Sequence, residues 1–218
     1  MSLYGEDRVL KKLYERLFRY EREFRMRKKR SEDYQVMEAV FDKPTLLTLY
    51  SMMNAGMFDY LNGVVSTGKE ARVYWGVKGG EDVAVKIYYT VTSSFKKRLI
   101  YMVGDPRFVA FKRTSRGLTE VWAKKEFKNL KQAYESGINV PRPIAVKKNV
   151  LIMSFIGDEG KPAPLLAESA VERGDYDTIV SMVKRLYRKA NIVHADLSEF
   201  NIFKYKGCLL YTSPSPRD

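Results

Sequence analysis

A lysine in the middle of an apolar, alternating segment is the feature that most constrains the fold of this chain. From Gly63 onward the hydrophobic pattern has a period of two, and after a Gly79-Gly80 turn residues 83–89 alternate as a strand does. Because successive side chains of a strand point to opposite faces, Ala84 and Lys86 share one face. The pattern predicts an antiparallel sheet rather than a βαβ unit. A lysine on an edge strand, pointing to water, is the alternative.

The face shared by Ala84 and Lys86 also indicates a ligand. A small side chain beside an ammonium group fits a purine against the alanine and phosphates against the lysine. Lysine is rarely placed inside an apolar strand without such a reason. The tetrapeptide Val83-Ala84-Val85-Lys86 also matches the protein-kinase strand motif V-A-I-K with one aliphatic exchange.

The composition sets broader limits. The chain has 218 residues, 45% of them hydrophobic, which is enough for one large or two small globular domains. It contains no run of about 18 apolar residues that could cross a membrane. Cys208 is the only cysteine and His194 the only histidine, which rules out an internal disulfide and speaks against a zinc site. We predict a reducing, cytoplasmic compartment.

The net charge of +13 is concentrated in two segments. Residues 1–30 hold 11 basic and 5 acidic side chains, and residues 90–119 hold 7 basic and 1 acidic. A basic excess of this size favours polyanions such as nucleic acid. A solvated helix face together with a charged loop explains the charge equally well.

Helical patterns surround the strands. An apolar stripe predicts a helix within residues 7–30 that continues as a basic arm from Arg25, and further helices are predicted at 44–56, 120–136 and 175–190. Besides 83–89, strands are predicted within 65–77 and at 144–147 and 149–155. Residues 90–119 have no period and predict a long loop with some local helix.

The segment 63–70 nearly matches a P-loop but differs from it in two ways. Its last position is Glu70, where a P-loop needs a hydroxyl to bind magnesium. The residues that follow continue as a strand instead of opening a helix. The pattern therefore indicates a hairpin whose turn, Ser66-Thr67-Gly68-Lys69, is able to cover phosphates. A plain surface hairpin is the alternative.

The most informative motif runs from His194 to Asn201. It matches the kinase catalytic loop H-R-D-L-x-x-x-N at every position except the arginine, which is Ala195 here. In that chemistry Asp196 accepts or orients the proton of the substrate hydroxyl, and the Asn201 amide oxygen binds magnesium. His194 is then a structural brace rather than a base. Because Asp and Asn are also common in turns, an ordinary turn is the alternative.

A carboxylate is expected to hold Lys86. Glu126 lies within the helix after the strand hairpin, where a kinase has its lysine-binding glutamate. Glu120 and Glu135 compete for this role, but they stand at the two ends of the helix.

With these motifs in hand, the sequence resembles the RIO family of atypical protein kinases and ATPases, specifically its Rio-one type, over most of residues 31–211. Its most specific mark is Ser66-Thr67-Gly68-Lys69-Glu70-Ala71 in place of a glycine-rich loop, supported by the 194–201 motif, the Lys-Glu-Phe helix segment and a hinge-like segment at 153–157. The resemblance implies an α+β, two-lobed kinase-like fold. The N-lobe is built on an antiparallel sheet and the helical C-lobe is incomplete.

The resemblance also implies a site for ATP and Mg²⁺. The loop residues Ser66, Thr67, Gly68, Lys69 and Glu70 would meet the triphosphate. The backbone at Ser154 and Ile156 would hold adenine, and Met153 would be the gatekeeper. The insertion after the lysine strand would be autophosphorylated, with candidates Ser93, Ser94, Thr114 and Ser115. Family members act in maturation of the small ribosomal subunit. This would make precursor protein and rRNA partners of the basic arm and loop.

The resemblance divides the chain into four parts: a basic arm at 1–30, an N-lobe at 31–152 with the flexible loop 90–119, a hinge and partial C-lobe at 153–211, and a tail at 212–218. The family's second metal-binding aspartate is expected near Thr212 or Ser213, where this sequence has hydroxyls followed by two prolines. We expect a tail of non-native sequence and weak or absent phosphoryl transfer. A pseudokinase is the alternative.

Two other functions remain open. One is a non-catalytic, ATP-binding module that associates with RNA or the ribosome. The other is a small-molecule kinase with the same H-x-D-x-x-x-x-N loop. The Ser66–Ala71 segment and the basic insertion argue against the second.

Overall fold

In the computed structural model, residues 41–90, 114–194 and 196–211 are described. The arm at 1–30, most of the insertion and the tail at 212–218 lie outside them. The elements, in chain order, are α1 (Lys43–Asn54), β1 (Tyr60–Thr67), β2 (Ala71–Lys78), β3 (Glu81–Tyr88), α2 (Ser115–Glu135), β4 (Pro143–Lys147), β5 (Val150–Ser154), β6 (Gly157–Asp158), β7 (Lys161–Pro162), α3 (Arg173–Ala190), β8 (Ile202–Tyr205) and β9 (Cys208–Tyr211), with short 3₁₀ turns at Leu166–Glu168 and Glu199–Asn201.

Five strands form an antiparallel sheet in the order β1-β2-β3-β5-β4. Lys86 therefore lies in the central strand, opposite Val73 of β2 and Leu151 of β5. The edge-strand alternative is wrong. The antiparallel sheet and the helices that flank it confirm the predicted α+β fold.

The two faces of this sheet belong to two different hydrophobic cores. Alternate residues such as Val85 and Ile152 pack with α1, whereas Leu151 and Tyr88 pack with α2 and α3. Period-two alternation explains this division, because neighbours along a strand point to opposite faces. Lys86 shares its face with Tyr88, so its side chain lies on the side of α2.

Two of the observed elements start five residues earlier than the sequence predicts. β1 begins at Tyr60 rather than near Val65, with register irregularities between Leu61 and Ser66 that obscure the period. α2 begins at Ser115 rather than at residue 120, because the hydroxyl of Thr114 accepts a hydrogen bond from the Gly117 N–H at 3.1 Å and caps the helix. Residues 115–119, predicted as loop, are therefore its first turn.

Beyond the five-stranded sheet, the C-terminal part of the fold consists mainly of α3 and the β8–β9 hairpin. α3 buries the stripe Met182, Leu186 and Ala190 and ends at Asn191 in the left-handed conformation. Gln132 at the end of α2 donates to the carbonyl of Ala190. Within the described ranges, no helix has the length and apolarity needed to cross a membrane. The predicted domain boundaries stay predictions.

The turns of two tight hairpins differ in whether they pack against the sheet. In β6–β7 the turn residues Glu159 and Gly160 both have positive φ, as do Lys206 and Gly207 in β8–β9. A Cβ at Gly160 would fall within 3.0 Å of ring carbons of Trp75, whereas one at Gly207 would meet no described atom within 4 Å.

We predict that Gly160→Ala lowers the free energy of unfolding by about 2–4 kcal/mol, since left-handed strain of about 1 kcal/mol adds to overpacking of about 1–3 kcal/mol. The matched variant Gly207→Ala carries the strain alone and should cost about 1 kcal/mol. Urea unfolding followed by tryptophan fluorescence measures both. Equal losses would show that the Trp75 contact does not matter.

Candidate active site

Lys86 and Glu126 form an ion pair between the sheet and α2. Lys86 Nζ lies 2.7 Å from Oε1 and 2.9 Å from Oε2 of Glu126. Glu126 is 1% exposed and the Lys86 side chain 22% exposed. A buried carboxylate is stable only when it is paired and hydrogen-bonded. The structure thus brings together the two side chains that the sequence pairs. Their roles toward ATP stay predictions.

Tyr88 is a third member of this cluster that is not predicted from sequence. Its hydroxyl donates to Glu126 Oε2, and its ring lies 5.1 Å from Lys86 Nζ. The carboxylate therefore receives donors from two side chains of one strand. The signal that could have found it is simple: residues i and i+2 of a strand share a face, so Tyr88 accompanies Lys86.

The 66–71 loop is a tight connection between β1 and β2. The Gly68 N–H donates to the Ala71 carbonyl at 2.9 Å, which closes the turn. Ser66, Thr67 and Lys69 are exposed, and the Glu70 carbonyl accepts from the Tyr89 N–H at 2.9 Å. The register of β2 against β3 places this loop beyond Lys86, at the end of β3 that holds Tyr88 and Tyr89. Contact of these loop residues with phosphates stays a prediction.

Asp196 and Asn201 are joined in the loop that follows α3. The side-chain amide Nδ2 of Asn201 donates to the Asp196 carbonyl at 2.5 Å, and the Asn201 N–H donates to the Ser198 carbonyl at 3.0 Å. The Asp196 side chain is exposed, whereas Leu197 packs against the hydrophobic core that the sheet shares with α2 and α3. The five-residue spacing therefore closes a compact loop in which the Asn201 amide is hydrogen-bonded and the Asp196 carboxylate is accessible.

His194 packs beside this loop. Its ring centroid lies 5.6 Å from that of buried Tyr211. This contact fits a bracing role, which stays a prediction.

The hinge-like segment at 153–157 is hydrogen-bonded to the residue before β4 and to the residue after β7. Ser154 exchanges two hydrogen bonds with the backbone of Arg142, one through its N–H and one through its hydroxyl, both at 2.9 Å. The Ile156 carbonyl accepts from the Ala163 N–H at 2.9 Å. Met153 lies opposite Ala84 and is partly buried. Adenine binding by Ser154 and Ile156 and a gatekeeper role of Met153 stay predictions.

A second tie that sequence does not predict joins the hinge to the β8–β9 hairpin. The Tyr205 hydroxyl lies 3.0 Å from the Gly157 carbonyl and 2.7 Å from Asp158 Oδ1, and Lys206 Nζ lies 2.9 Å from the same carboxylate oxygen. Interaction with Tyr205 and with Asp158 raises the pKa of Lys206 to about 12. Because β8 begins directly after Asn201, this cluster links the hinge-like segment to the 194–201 loop. Contacts so distant in sequence leave no local pattern.

Some predicted positions lie apart from this centre or outside the described residues. Thr114 and Ser115 stand at the cap and first residue of α2, while Ser93, Ser94 and the 212–218 tail are outside the described ranges. Within those ranges no group of three or more His, Cys, Asp or Glu side chains is placed to hold a metal ion.

Comparison with known proteins agrees with the motifs. The family model described as RIO domain matches residues 72–211. The chain is 40% identical to the RIO-type serine/threonine-protein kinase Rio1 of Haloferax volcanii, over 86% of this chain and 66% of that protein. It is 38% identical to Rio1 of Methanocaldococcus jannaschii (92% and 71%) and 37% identical to the human serine/threonine-protein kinase RIO1 (92% and 36%). These relatives confirm the predicted resemblance. For several of them the chain spans less than two thirds of their length.

The fold has solved counterparts. A Rio2 kinase–ADP/Mg²⁺–phosphoaspartate complex from Chaetomium thermophilum has a TM-score of 0.59 and 18% identity, covering 95% of this chain and 71% of that one. A second structure of the Rio2 kinase from the same organism has a TM-score of 0.53. At this identity the likeness shows the fold alone.

We predict that Lys86→Met lowers the free energy of unfolding by about 3–5 kcal/mol, because it removes the cation that pairs with the buried Glu126 carboxylate. Adding Glu126→Gln should recover part of the loss. The matched control is Lys204→Met. This lysine side chain is 21% exposed and pairs with Glu172 and Asp175, whose side chains are 76% and 13% exposed, so its loss strands no carboxylate as deeply buried as Glu126 and should cost clearly less. Chemical denaturation of the three variants measures this, and equal losses for both lysines would contradict it.

Proposed function

Because the chain belongs to the RIO domain family, we propose that it is an atypical serine/threonine protein kinase or ATPase that transfers the γ-phosphoryl group of ATP with Mg²⁺. The observation that carries this proposal is the ion pair of Lys86 with buried Glu126, on the face of the sheet toward α2. An ammonium held this way is fixed in position and charge, which is what binding of the α- and β-phosphates requires.

Lys86 has donor capacity left for a ligand. An ammonium group has three protons, and Glu126 takes up to two of them through its two oxygens. A third proton is available to a phosphate oxygen. The exposed turn at Ser66–Glu70 supplies hydroxyls, backbone N–H groups and the Lys69 ammonium, which are the groups that bind phosphate oxygens.

The residues of the 194–201 loop fit the remaining roles. The Asn201 amide nitrogen is used by the Asp196 carbonyl, so its oxygen Oδ1 is the atom left to bind magnesium. The exposed Asp196 carboxylate is the group that accepts the substrate's hydroxyl proton. Bound Mg²⁺ would neutralise developing phosphate charge. The hydroxyl oxygen forms a bond to the γ-phosphorus, the bond from that phosphorus to the β–γ bridging oxygen breaks, ADP leaves, and the proton goes to Asp196.

Adenine is proposed to bind the backbone at Ser154 and Ile156, with Met153 as gatekeeper. The Ile156 carbonyl is already bonded within the hinge, so the N–H of this residue is the group that remains to face a base. With Thr212 and Ser213 where the second metal-binding aspartate of the family is expected, we propose that phosphoryl transfer by this sequence is slow.

A role in small ribosomal subunit maturation, in the cytoplasm, is a further part of the proposal. The basic excess of residues 1–30 and 90–119 supports precursor rRNA and protein as partners, because such charge binds polyanions. In relatives the name serine/threonine-protein kinase implies protein substrates.

We predict that Asp196→Asn lowers phosphoryl transfer by roughly 10²–10⁴-fold, as expected when a proton-accepting group is lost, while ATP affinity is kept. The matched control Glu199→Gln changes a second exposed carboxylate in the same loop and should leave transfer unchanged. Transfer from γ-labelled ATP and calorimetric ATP binding measure the two effects.

The same experiment separates the alternative. If the unmodified chain binds ATP but gives no transfer, the non-catalytic module is supported and the kinase contradicted.

A further inference from the structure

Asp42 joins three parts of the chain that are distant in sequence. As the N-cap of α1, its Oδ1 accepts from the Thr45 N–H at 3.0 Å. Its other oxygen, Oδ2, accepts from the Thr90 hydroxyl at 3.0 Å and from the Arg116 guanidinium. Thr90 follows β3, and Arg116 is the second residue of α2. One carboxylate therefore contacts the beginning of α1, the end of β3 and the first turn of α2.

These contacts belong to a series along α2 and β3. Lys86 and Tyr88 bond to Glu126, the Tyr89 carbonyl accepts from the Thr119 hydroxyl at 3.2 Å, and Thr90 reaches Arg116 through Asp42. As β3 proceeds, its partners on α2 move from the middle of the helix toward its start. Arg116 and Glu126 lie about 15 Å apart along the axis. Two points of attachment at that distance fix the direction of a helix, whereas one leaves it free to turn.

The covalent connection does not supply the first of these points. Between Thr90 and Arg116 lie 25 residues. A segment of that length can reach roughly 85 Å when fully extended, so its length alone does not fix where α2 starts. Noncovalent contacts of the first turn, those of Asp42 and the bond from Thr119 to Tyr89, supply that constraint.

We propose that Asp42 is a positioning residue: through Arg116 it sets the start of α2 and thereby holds Glu126 against Lys86. Its importance for ATP use rests on the proposed function, whereas its effect on the ion pair does not. Partial burial would raise the pKa of Asp42, but hydrogen bonds from Thr45 and Thr90 and the charge of Arg116 hold it below its ordinary value. The carboxylate is thus ionised near neutral pH, as the contact with Arg116 requires.

Asp42→Asn separates positioning from helix capping. Asparagine is as good an N-cap as aspartate, but it has lost the charge that holds Arg116. We therefore expect α1 to persist while the start of α2 is released.

The readout is the rate at which Lys86 is acetylated by a water-soluble N-hydroxysuccinimide ester, followed by peptide mass spectrometry on the whole chain. Asp42→Asn should raise this rate by about 5-fold, the low end of measured couplings between sites. Lys204 is the internal control, since its side chain is 21% exposed against 22% for Lys86 and its partners Glu172 and Asp175 are remote from Asp42 in sequence. Its rate should not change.

Two further variants sharpen the result. Arg116→Gln should raise the Lys86 rate as much as Asp42→Asn, and the double variant no further, because both remove one shared contact. Thr45→Ala removes the bond from Asn149 Nδ2 to the Thr45 hydroxyl, at 3.0 Å, and weakens α1 without touching Arg116. It should leave the Lys86 rate unchanged.

An unchanged Lys86 rate in Asp42→Asn would overturn the proposal. So would an equal rise at Lys204 or in Thr45→Ala, because either indicates general loosening, and so would additive effects of Asp42→Asn and Arg116→Gln. Labelling needs no ATP turnover. A chain without phosphoryl transfer would contradict the proposed function and leave this result standing.

Discussion

The packing of the sheet on α2 depends on the buried carboxylate of Glu126. Glu126 is removed from water, and an ionised group in that position is tolerated only with donors close by. The donors Lys86 and Tyr88 come from β3, whereas Glu126 comes from α2. The sheet and the helix therefore have to dock in one relative position for the charge to be satisfied. The pairing that we propose for nucleotide binding is also a condition for packing the two layers.

Much of this arrangement follows from local pattern. The central strand and the helices are predictable because alternation and helical spacing act over short stretches of sequence, and the pairing of Lys86 with Glu126 is predictable because the kinase-like motifs specify both partners. The start of α2 is not, since the Thr114 cap stands at the end of a polar segment that has no period. Tyr88 follows from alternation once the face of Lys86 is known, whereas the bond from Tyr205 to Gly157 does not, because it joins residues 48 apart.

The two faces of the sheet have different roles. On one side Val85 and Ile152 pack against α1 and contribute only apolar burial. On the other side the same strands present Lys86 and Met153 toward α2 and the hydrophobic core that includes α3. A one-residue slip of β3 would exchange the two faces and bury the lysine in the wrong core. Correct register is therefore a requirement of the site as much as of stability.

The attachment of α2 at its far end has a mechanical consequence. There Gln132 bonds to the Ala190 carbonyl, Arg185 to the Gly137 carbonyl at 2.6 Å, and the Tyr211 N–H to the Asn139 carbonyl at 3.1 Å. Any rotation of α2 relative to α3 would then have its axis near this end. Displacement grows along the helix, which is about 30 Å long. The C-terminal turn would stay nearly still during such a rotation, and the N-terminal turn would sweep through the widest arc.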